Sequence, residues 1–178
     1  MRRISYSAAI LIVPYIFGPP AMAQERFASL SPNGEPGWRT YFDPSTSTSV
    51  QFPAEIFTVA DGVPESGTGR RFRTSDGRAT FSIYSLPNEA RGSPADYLAG
   101  RLKIPRSALH YERTTGKFFA ISGTHQGNVY YSRCNFAGRI HCIYLAYPDR
   151  EKRAWDSVVT RISLSLRPLP RGISQGHS

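Results

Sequence analysis

The sequence lacks the residue patterns that mark the common metal, nucleotide and hydrolase sites. It has four histidines, and none shows the His-x-x-x-His or His-Glu-x-x-His spacing of helical zinc sites. The Gly-x-Ser-x-Gly motif of serine hydrolases and the glycine-rich phosphate loop that ends in Gly-Lys are also missing. We therefore predict no catalytic residue, metal ion or cofactor of these classes, and we expect a protein that is not an enzyme.

Long apolar runs are missing as well. The main apolar stretch lies near the N-terminus and is interrupted by Pro14, whereas a membrane-spanning helix needs about 20 apolar residues. Two arginines precede the stretch, and a small-x-small motif ends at Ala23. This layout predicts a secretory signal peptide at 1–23, cleaved before Gln24, and a periplasmic or secreted protein. Because no cysteine follows the cleavage site, a lipid anchor is not expected.

Acidic residues are fewer than basic ones. The chain has 13 acidic and 22 basic residues, and loss of the signal peptide lowers the formal net charge from +9 to +7, because it carries two arginines and no acid. A basic protein favours polyanionic partners such as envelope polymers, lipid head groups or nucleic acid. A merely solvated surface is the competing explanation. As partner we expect an envelope protein or an anionic ligand rather than nucleic acid.

The densest basic cluster contains Arg70, Arg71 and Arg73. On a hairpin it could bind an anionic ligand, with Phe72 available for stacking. Strand alternation, however, places Arg71 and Arg73 on the opposite side from Arg70 and Phe72. The alternative is therefore a solvated strand whose charges protect a sheet edge.

Cysteine is scarce, and the two cysteines predict a disulfide. Cys134 ends one segment rich in β-branched and aromatic residues, and Cys142 lies within the next. Residues 135–139 form the predicted turn, and a hairpin symmetric about Gly138 places the cysteines opposite each other, within disulfide range. Since no Cys-x-x-Cys motif is present, a structural bridge is favoured over a redox-active pair.

The patterning along the chain predicts a single α+β domain. We expect a flexible lead-in at 24–37, a globular domain at 38–166 and a disordered tail at 167–178. Helices are predicted after Ser93 and after Asp149, which can act as caps. Strands are predicted at 38–42, 49–52, 69–74, 78–84, 108–113, 117–123, 129–134 and 140–147. The short turns between the last four strands require an antiparallel meander, with apolar residues on both of its faces.

A second hypothesis for the function is a basic hydrolase that acts on a polyanion such as RNA. Secreted ribonucleases combine a carboxylate base, a histidine acid and arginines that neutralise phosphate. His110 and Glu112 are expected on one face of their strand, and Arg133 and His141 on neighbouring strands. Alternation alone also predicts such a polar row, with Tyr111 directed toward the core.

Two segments resemble PsbP-like domains. The first is Trp-Arg-Thr-Tyr at 38–41 followed by Val-Gln-Phe-Pro-Ala-Glu-Ile-Phe at 50–57, and the second runs from Tyr147-Pro148 to the apolar helix stripe that ends at Leu166. The resemblance implies an α/β/α sandwich, in which helices flank a central antiparallel sheet on both faces. PsbP is an accessory subunit of the photosynthetic oxygen-evolving complex, and its relatives are lumenal or periplasmic helper proteins. The resemblance transfers no functional residue, and it implies an exported accessory or binding protein of the cell envelope.

Overall fold

The computed structural model describes residues 31–32, 37–101 and 108–169. The predicted signal peptide lies outside these ranges, as do most of the predicted lead-in and tail. In chain order the described elements are β1 (Ser31–Pro32), β2 (Trp38–Asp43), β3 (Thr48–Pro53), β4 (Val59–Ala60), β5 (Thr68–Arg73), β6 (Thr80–Pro87), α1 (Pro94–Arg101), β7 (Leu109–Thr114), β8 (Phe118–His125), β9 (Asn128–Ala137), β10 (Arg139–Pro148), α2 (Lys152–Ser165) and β11 (Arg167–Pro168).

The strands form two antiparallel sheets. The larger sheet has seven strands in the order β4-β5-β6-β10-β9-β8-β7, and the smaller has the order β1-β2-β3-β11. The meander predicted for the last four strands is confirmed, because β7, β8, β9 and β10 are consecutive neighbours. Pairing of β6 with β10 joins the meander to the first half of the chain, a contact between residues distant in the sequence.

The hairpin of β9 and β10 has the predicted symmetric register. Cys134 pairs with Cys142, their Cα atoms are 4.1 Å apart, and the two sulfurs form a disulfide. The turn is shorter than the predicted 135–139, because both strands continue until only Gly138 separates them. Gly138 has a φ of +73°, a left-handed conformation that glycine adopts without the steric penalty of a side chain.

Both faces of the large sheet are covered, as the apolar pattern predicted. On one face, Trp155 of α2 stacks on Tyr147 at 5.1 Å and contacts Phe57, and the small sheet extends this core through Phe52. On the other face, Tyr97 of α1 stacks on Phe119 at 5.7 Å, above the disulfide. We call these the α2 face and the α1 face. The fold is α+β, with helices on both sides of a central antiparallel sheet.

The helix starts differ in how they are capped. Ser93 caps α1 as predicted: its Oγ accepts the backbone N–H of Asp96 at 3.2 Å and donates to the Asp96 carboxylate at 2.7 Å. Asp149 does not cap α2. A turn of 3-10 helix at Asp149–Glu151 intervenes, and no side-chain hydrogen bond caps the start of α2 at Lys152.

The folded part extends beyond both predicted domain boundaries. At the C-terminal side, Arg167–Pro168 pairs with β3, and the Leu169 N–H donates to the Ser47 carbonyl at 2.8 Å. At the N-terminal side, Ser31–Pro32 pairs with β2 although it lies in the predicted lead-in. Both segments were assigned to flexible regions because of their proline and polar residues, but backbone pairing needs only an adjacent strand edge.

Removal of the disulfide is expected to destabilise the protein without changing its fold. The bridge closes a loop of nine residues across an already paired hairpin, so the double variant Cys134→Ser/Cys142→Ser should lose about 2.5 kcal/mol of unfolding free energy on the loop-entropy model. Urea unfolding of the variant and of the oxidised wild type measures this difference. An unchanged free energy of unfolding would contradict a stapling role.

Candidate functional site

The predicted basic cluster is divided between two faces of the sheet. Arg70 pairs with Ile83 and lies on the α2 face, whereas Arg71 and Arg73 lie on the α1 face. Asp61 forms ion pairs with both of the latter, since its carboxylate oxygens are 2.9 Å from Arg71 Nε and 3.5 Å from Arg73 Nε. The three arginines therefore do not form one anion-binding surface.

Arg71 also borders a groove on the α1 face. This groove has a volume of about 430 Å³, and the side chains on its sheet floor are hydroxyl-bearing or small. They belong to Thr80, Ser82, Tyr84, Tyr144 and Ala146. Burial raises the pKa of Tyr84 to about 12, so its hydroxyl remains neutral. Because Glu65 lies in the wall beside Arg71, the groove concentrates no positive charge.

The four residues of the hydrolase hypothesis do not converge. A register shift between Leu109 and Tyr111 moves His110 beside Thr124, with 3.5 Å between Nδ1 and Oγ1. Glu112 pairs with Ile121 and faces the opposite side of the sheet. The expectation that His110 and Glu112 share a face is wrong, because it assumed an unbroken strand, whereas a bulge reverses the alternation.

Tyr111 was expected to face the core, and the same bulge changes its position. Leu109 packs against the core beneath α1, but Tyr111 pairs with Ser122 on the α2 face. There its side chain is 46 % exposed. This edge of the sheet therefore presents an aromatic residue to solvent.

His141 is a buried structural residue. Only 2 % of its surface is exposed, and its Nδ1 lies 2.8 Å from Thr48 Oγ1, which in turn lies 2.8 Å from Thr46 Oγ1. Burial is the main cause of its lowered pKa, and the neighbouring Arg139 lowers it further. A neutral imidazole therefore joins the large sheet to the β2–β3 hairpin.

A cluster of positive charge that takes part in no ion pair of the described residues lies on the α2 face of β7, β8 and β9. Arg113 and Arg133 flank the small Ala120 in one row across these strands. Both guanidinium groups lie over the ring of Phe118, with Cζ 5.6 Å from its centroid for Arg113 and 4.2 Å for Arg133. Tyr111 and Tyr131 form the adjoining row on either side of Ser122. We call Tyr111, Arg113, Phe118, Tyr131 and Arg133 the arginine face.

Hydrogen bonds hold part of the arginine face in place. Arg133 Nε donates to Asn135 Oδ1 at 3.1 Å, and Asn135 Nδ2 donates to the Leu166 carbonyl at 2.9 Å, just past the end of α2. The Tyr131 hydroxyl lies 2.6 Å from Ser163 Oγ of α2. Burial raises the pKa of Tyr131, which therefore contributes a neutral hydroxyl. The Arg133 guanidinium is thus positioned before any ligand arrives.

The charges of the arginine face have no acidic partner in the described part of the chain. The ion pairs among the described residues include neither Arg113 nor Arg133, nor the exposed Lys117 of the adjacent turn. Glu112 is the one acidic residue in β7, β8 and β9, and it points to the other face.

Aromatic contacts act against the repulsion between the two guanidinium groups of the arginine face. The Cζ atoms of Arg113 and Arg133 lie 5.6 Å and 4.2 Å from the same Phe118 ring centroid. The two Cζ atoms are therefore at most 9.8 Å apart. At this greatest possible separation their repulsion in water is about 0.4 kcal/mol, and at a shorter separation it is larger. A cation–π contact at an exposed site contributes about 0.5–1 kcal/mol. The two arginines can therefore remain together in solution with their charges available.

Sequence reasoning identified Arg133 but did not select Arg113, Lys117 or Phe118. The available signal was the short predicted turn between β7 and β8, which brings Arg113 and Lys117 to one end of a hairpin. The register of β8 against β9, which aligns Arg113 with Arg133, could not be read from the sequence. Within the described ranges, no group of three or more His, Cys, Asp or Glu side chains could hold a metal ion.

Comparison with solved structures shows a PsbP-like fold. The chain is similar to the solution structure of cyanobacterial PsbP (CyanoP) from Synechocystis sp. PCC 6803, with a TM-score of 0.57 and 13 % sequence identity. The similarity covers 79 % of this chain and 98 % of that one. Neither the protein-family models nor the curated proteins give a match. Neither helix of the described ranges is long and apolar enough to cross a membrane.

Burial of neutral His141 is expected to make the protein less stable in acid. Its lowered pKa means that the unfolded chain binds a proton more readily than the folded one, so stability falls as pH drops through the ordinary histidine value of 6.5. Urea unfolding at pH 7.5 and 5.5 should show this loss in the wild type and less of it in His141→Gln. His110→Gln, which removes an exposed histidine, should retain the wild-type pH dependence. An equal effect of both substitutions would contradict the assignment.

Proposed function

We propose that this chain is an exported, non-enzymatic accessory or binding protein of the cell envelope, and that it binds an anionic partner through the arginine face. One observation carries the proposal. Two arginines share one aromatic ring, with no acidic residue on the same face of the three strands. Guanidinium groups bind carboxylates and phosphates through paired, charge-assisted hydrogen bonds.

Two further features support export and a binding role. The bridge between Cys134 and Cys142 is typical of an oxidising compartment, in agreement with the signal peptide predicted at 1–23. Tyr111 and Arg113 of the arginine face belong to the edge strand β7 and are exposed, so a partner can contact them from solvent. The overall basic charge would attract an anionic partner over several ångströms before contact.

The hydrolase hypothesis receives no comparable support. General acid–base catalysis needs two groups within reach of one substrate, but His110 and Glu112 lie on opposite faces and His141 is buried. His110 and Arg133 share the α2 face, but the imidazole of His110 contacts Thr124, which lies four residues along β8, or about 13 Å, from Ala120, the residue paired with Arg133.

Two arginine substitutions are expected to reduce binding to an anionic probe. Fluorescein-labelled heparin tests this by anisotropy between 50 and 300 mM NaCl. Arg113→Gln/Arg133→Gln should weaken binding about tenfold at low salt and make the salt dependence shallower, because fewer counter-ions are released. The matched control Arg150→Gln/Arg153→Gln removes the same charge from an exposed segment near the start of α2. Equal losses in both variants would indicate diffuse attraction instead of a site.

The purified protein is expected not to cleave RNA. Incubation of labelled single-stranded RNA with wild type and with Glu112→Gln, read by gel electrophoresis, should leave the substrate intact in both samples. Cleavage by the wild type that the Glu112 substitution abolishes would contradict the non-enzymatic proposal and favour the hydrolase.

A further inference from the structure

We infer that the outer edge of β7 is an interaction surface that accepts an extended acidic segment of a partner protein as an additional strand. This inference rests on the proposed function and names the partner of the same region. Proteins recognise extended peptides in this way at exposed sheet edges, where backbone hydrogen bonds supply affinity and side chains supply selectivity.

The length of β7 distinguishes it from the other sheet edges in the described part of the chain. The remaining edge strands are β4, β1 and β11, and each contains two residues. β7 contains six residues, and all of its side chains except that of Leu109 are exposed. Very short edge strands are a common protection against unwanted pairing, and β7 lacks that protection.

The alternation of hydrogen bonds identifies which backbone groups face outward. The Thr115 N–H donates to the Phe118 carbonyl at 2.8 Å, which sets the pattern for the antiparallel ladder above it. Arg113 and Tyr111 then bond inward to β8, and Glu112 and Thr114 direct their N–H and C=O groups away from the sheet. Two donors and two acceptors therefore stand at the spacing that an added strand needs.

The positive charge of the arginine face favours an acidic partner strand. Arg113 lies on the α2 face, beside Arg133 and next to the turn that carries the exposed Lys117. A strand added to β7 places its own side chains about 5 Å from those of β7, so its residue opposite Arg113 is within reach of the guanidinium. A glutamate or aspartate there, with others two residues away on the same face, complements the arginine face.

A second copy of this chain fits less well than an acidic partner. The bulge confines regular pairing to 111–114, and side chains paired across a two-fold axis must share a face. When two copies of β7 pair with each other, the two-fold axis therefore passes through Glu112 or Arg113 in the registers that use most of residues 111–114. Each of them places a charged residue directly opposite its own copy, which is destabilising.

The decisive variant is Thr114→Pro, with Thr114→Val as its matched control. Proline removes an N–H that points away from β8, so the β7–β8 ladder keeps its bonds while strand addition is blocked. Valine retains the N–H and the β-branched shape. The probe is the peptide fluorescein-Thr-Glu-Val-Glu-Thr-Glu-Val-Thr-amide, labelled at its N-terminus, and the same labelled peptide with lysine in place of glutamate is its control.

The wild type and Thr114→Val should bind the acidic probe and not the lysine probe. Thr114→Pro should bind it about tenfold more weakly, the effect of losing one to two backbone hydrogen bonds. Hydrogen exchange of the wild type provides a second measurement that does not depend on the folding of the proline variant. The probe should slow exchange at the Glu112 and Thr114 amides at least about tenfold, and leave the Tyr111 and Arg113 amides unchanged.

Three results would overturn the inference. The first is unchanged binding of the probe by a folded Thr114→Pro, or no protection of the two outward amides. The second is equal binding of the lysine probe. The third is protection of these amides without peptide together with a dimer in light scattering, which would identify a second copy as the occupant. Loss of heparin binding in the arginine variants, with no effect of Thr114→Pro on the peptide, would leave the proposed function standing and reject strand addition alone.

Discussion

The register of the β9–β10 hairpin is the constraint on which the rest of the structure depends. Pairing of Cys134 with Cys142, with Gly138 as the sole residue between the strands, determines which side chains of both strands share a face. A shift of one residue would exchange the two cores, because side chains alternate between the faces of a sheet. The disulfide makes such a shift impossible without breaking a covalent bond. The other strands of the large sheet pair in series outward from β9 and β10, so the face on which each of their side chains lies follows from this pair.

This regular alternation of side chains between the two faces is interrupted at the bulge in β7. Up to β8 the alternation is regular, but the register shift between Leu109 and Tyr111 turns His110 and Tyr111 toward the α2 face. A plausible acid–base pair on one strand is thereby separated, and an aromatic residue joins two arginines on a surface without acids. The same bulge shortens the regular edge to a few residues. One irregularity thus separates His110 from Glu112 and places Tyr111 beside the arginines.

The arginine face and the Asp61 ion pairs show how packing decides the role of a charged residue. Arg71 and Arg73 belong to the densest basic run of the chain, yet both form ion pairs with the carboxylate of Asp61. Arg113 and Arg133 are 20 residues apart in the sequence, yet they meet on one phenyl ring. Basic residues adjacent in a strand point to opposite faces, whereas residues aligned across strands share a face. Cation clusters on sheets therefore follow register rather than sequence density.

The sequence alone determined the class of fold, the disulfide, the meander and the α1 cap, because each depends on neighbours within about a dozen residues. It predicted the order of the last four strands, but it missed β1 and β11, whose pairing depends on an available strand edge rather than on their own composition. Only the tertiary structure decided that His141 is a buried link to Thr48, that His110 and Glu112 are separated, and that Arg113 meets Arg133. These outcomes depend on register between strands and on a single bulge. Neither leaves a periodic signal in the chain, because a bulge interrupts the alternation at a single residue and register is set by contacts between strands rather than within one.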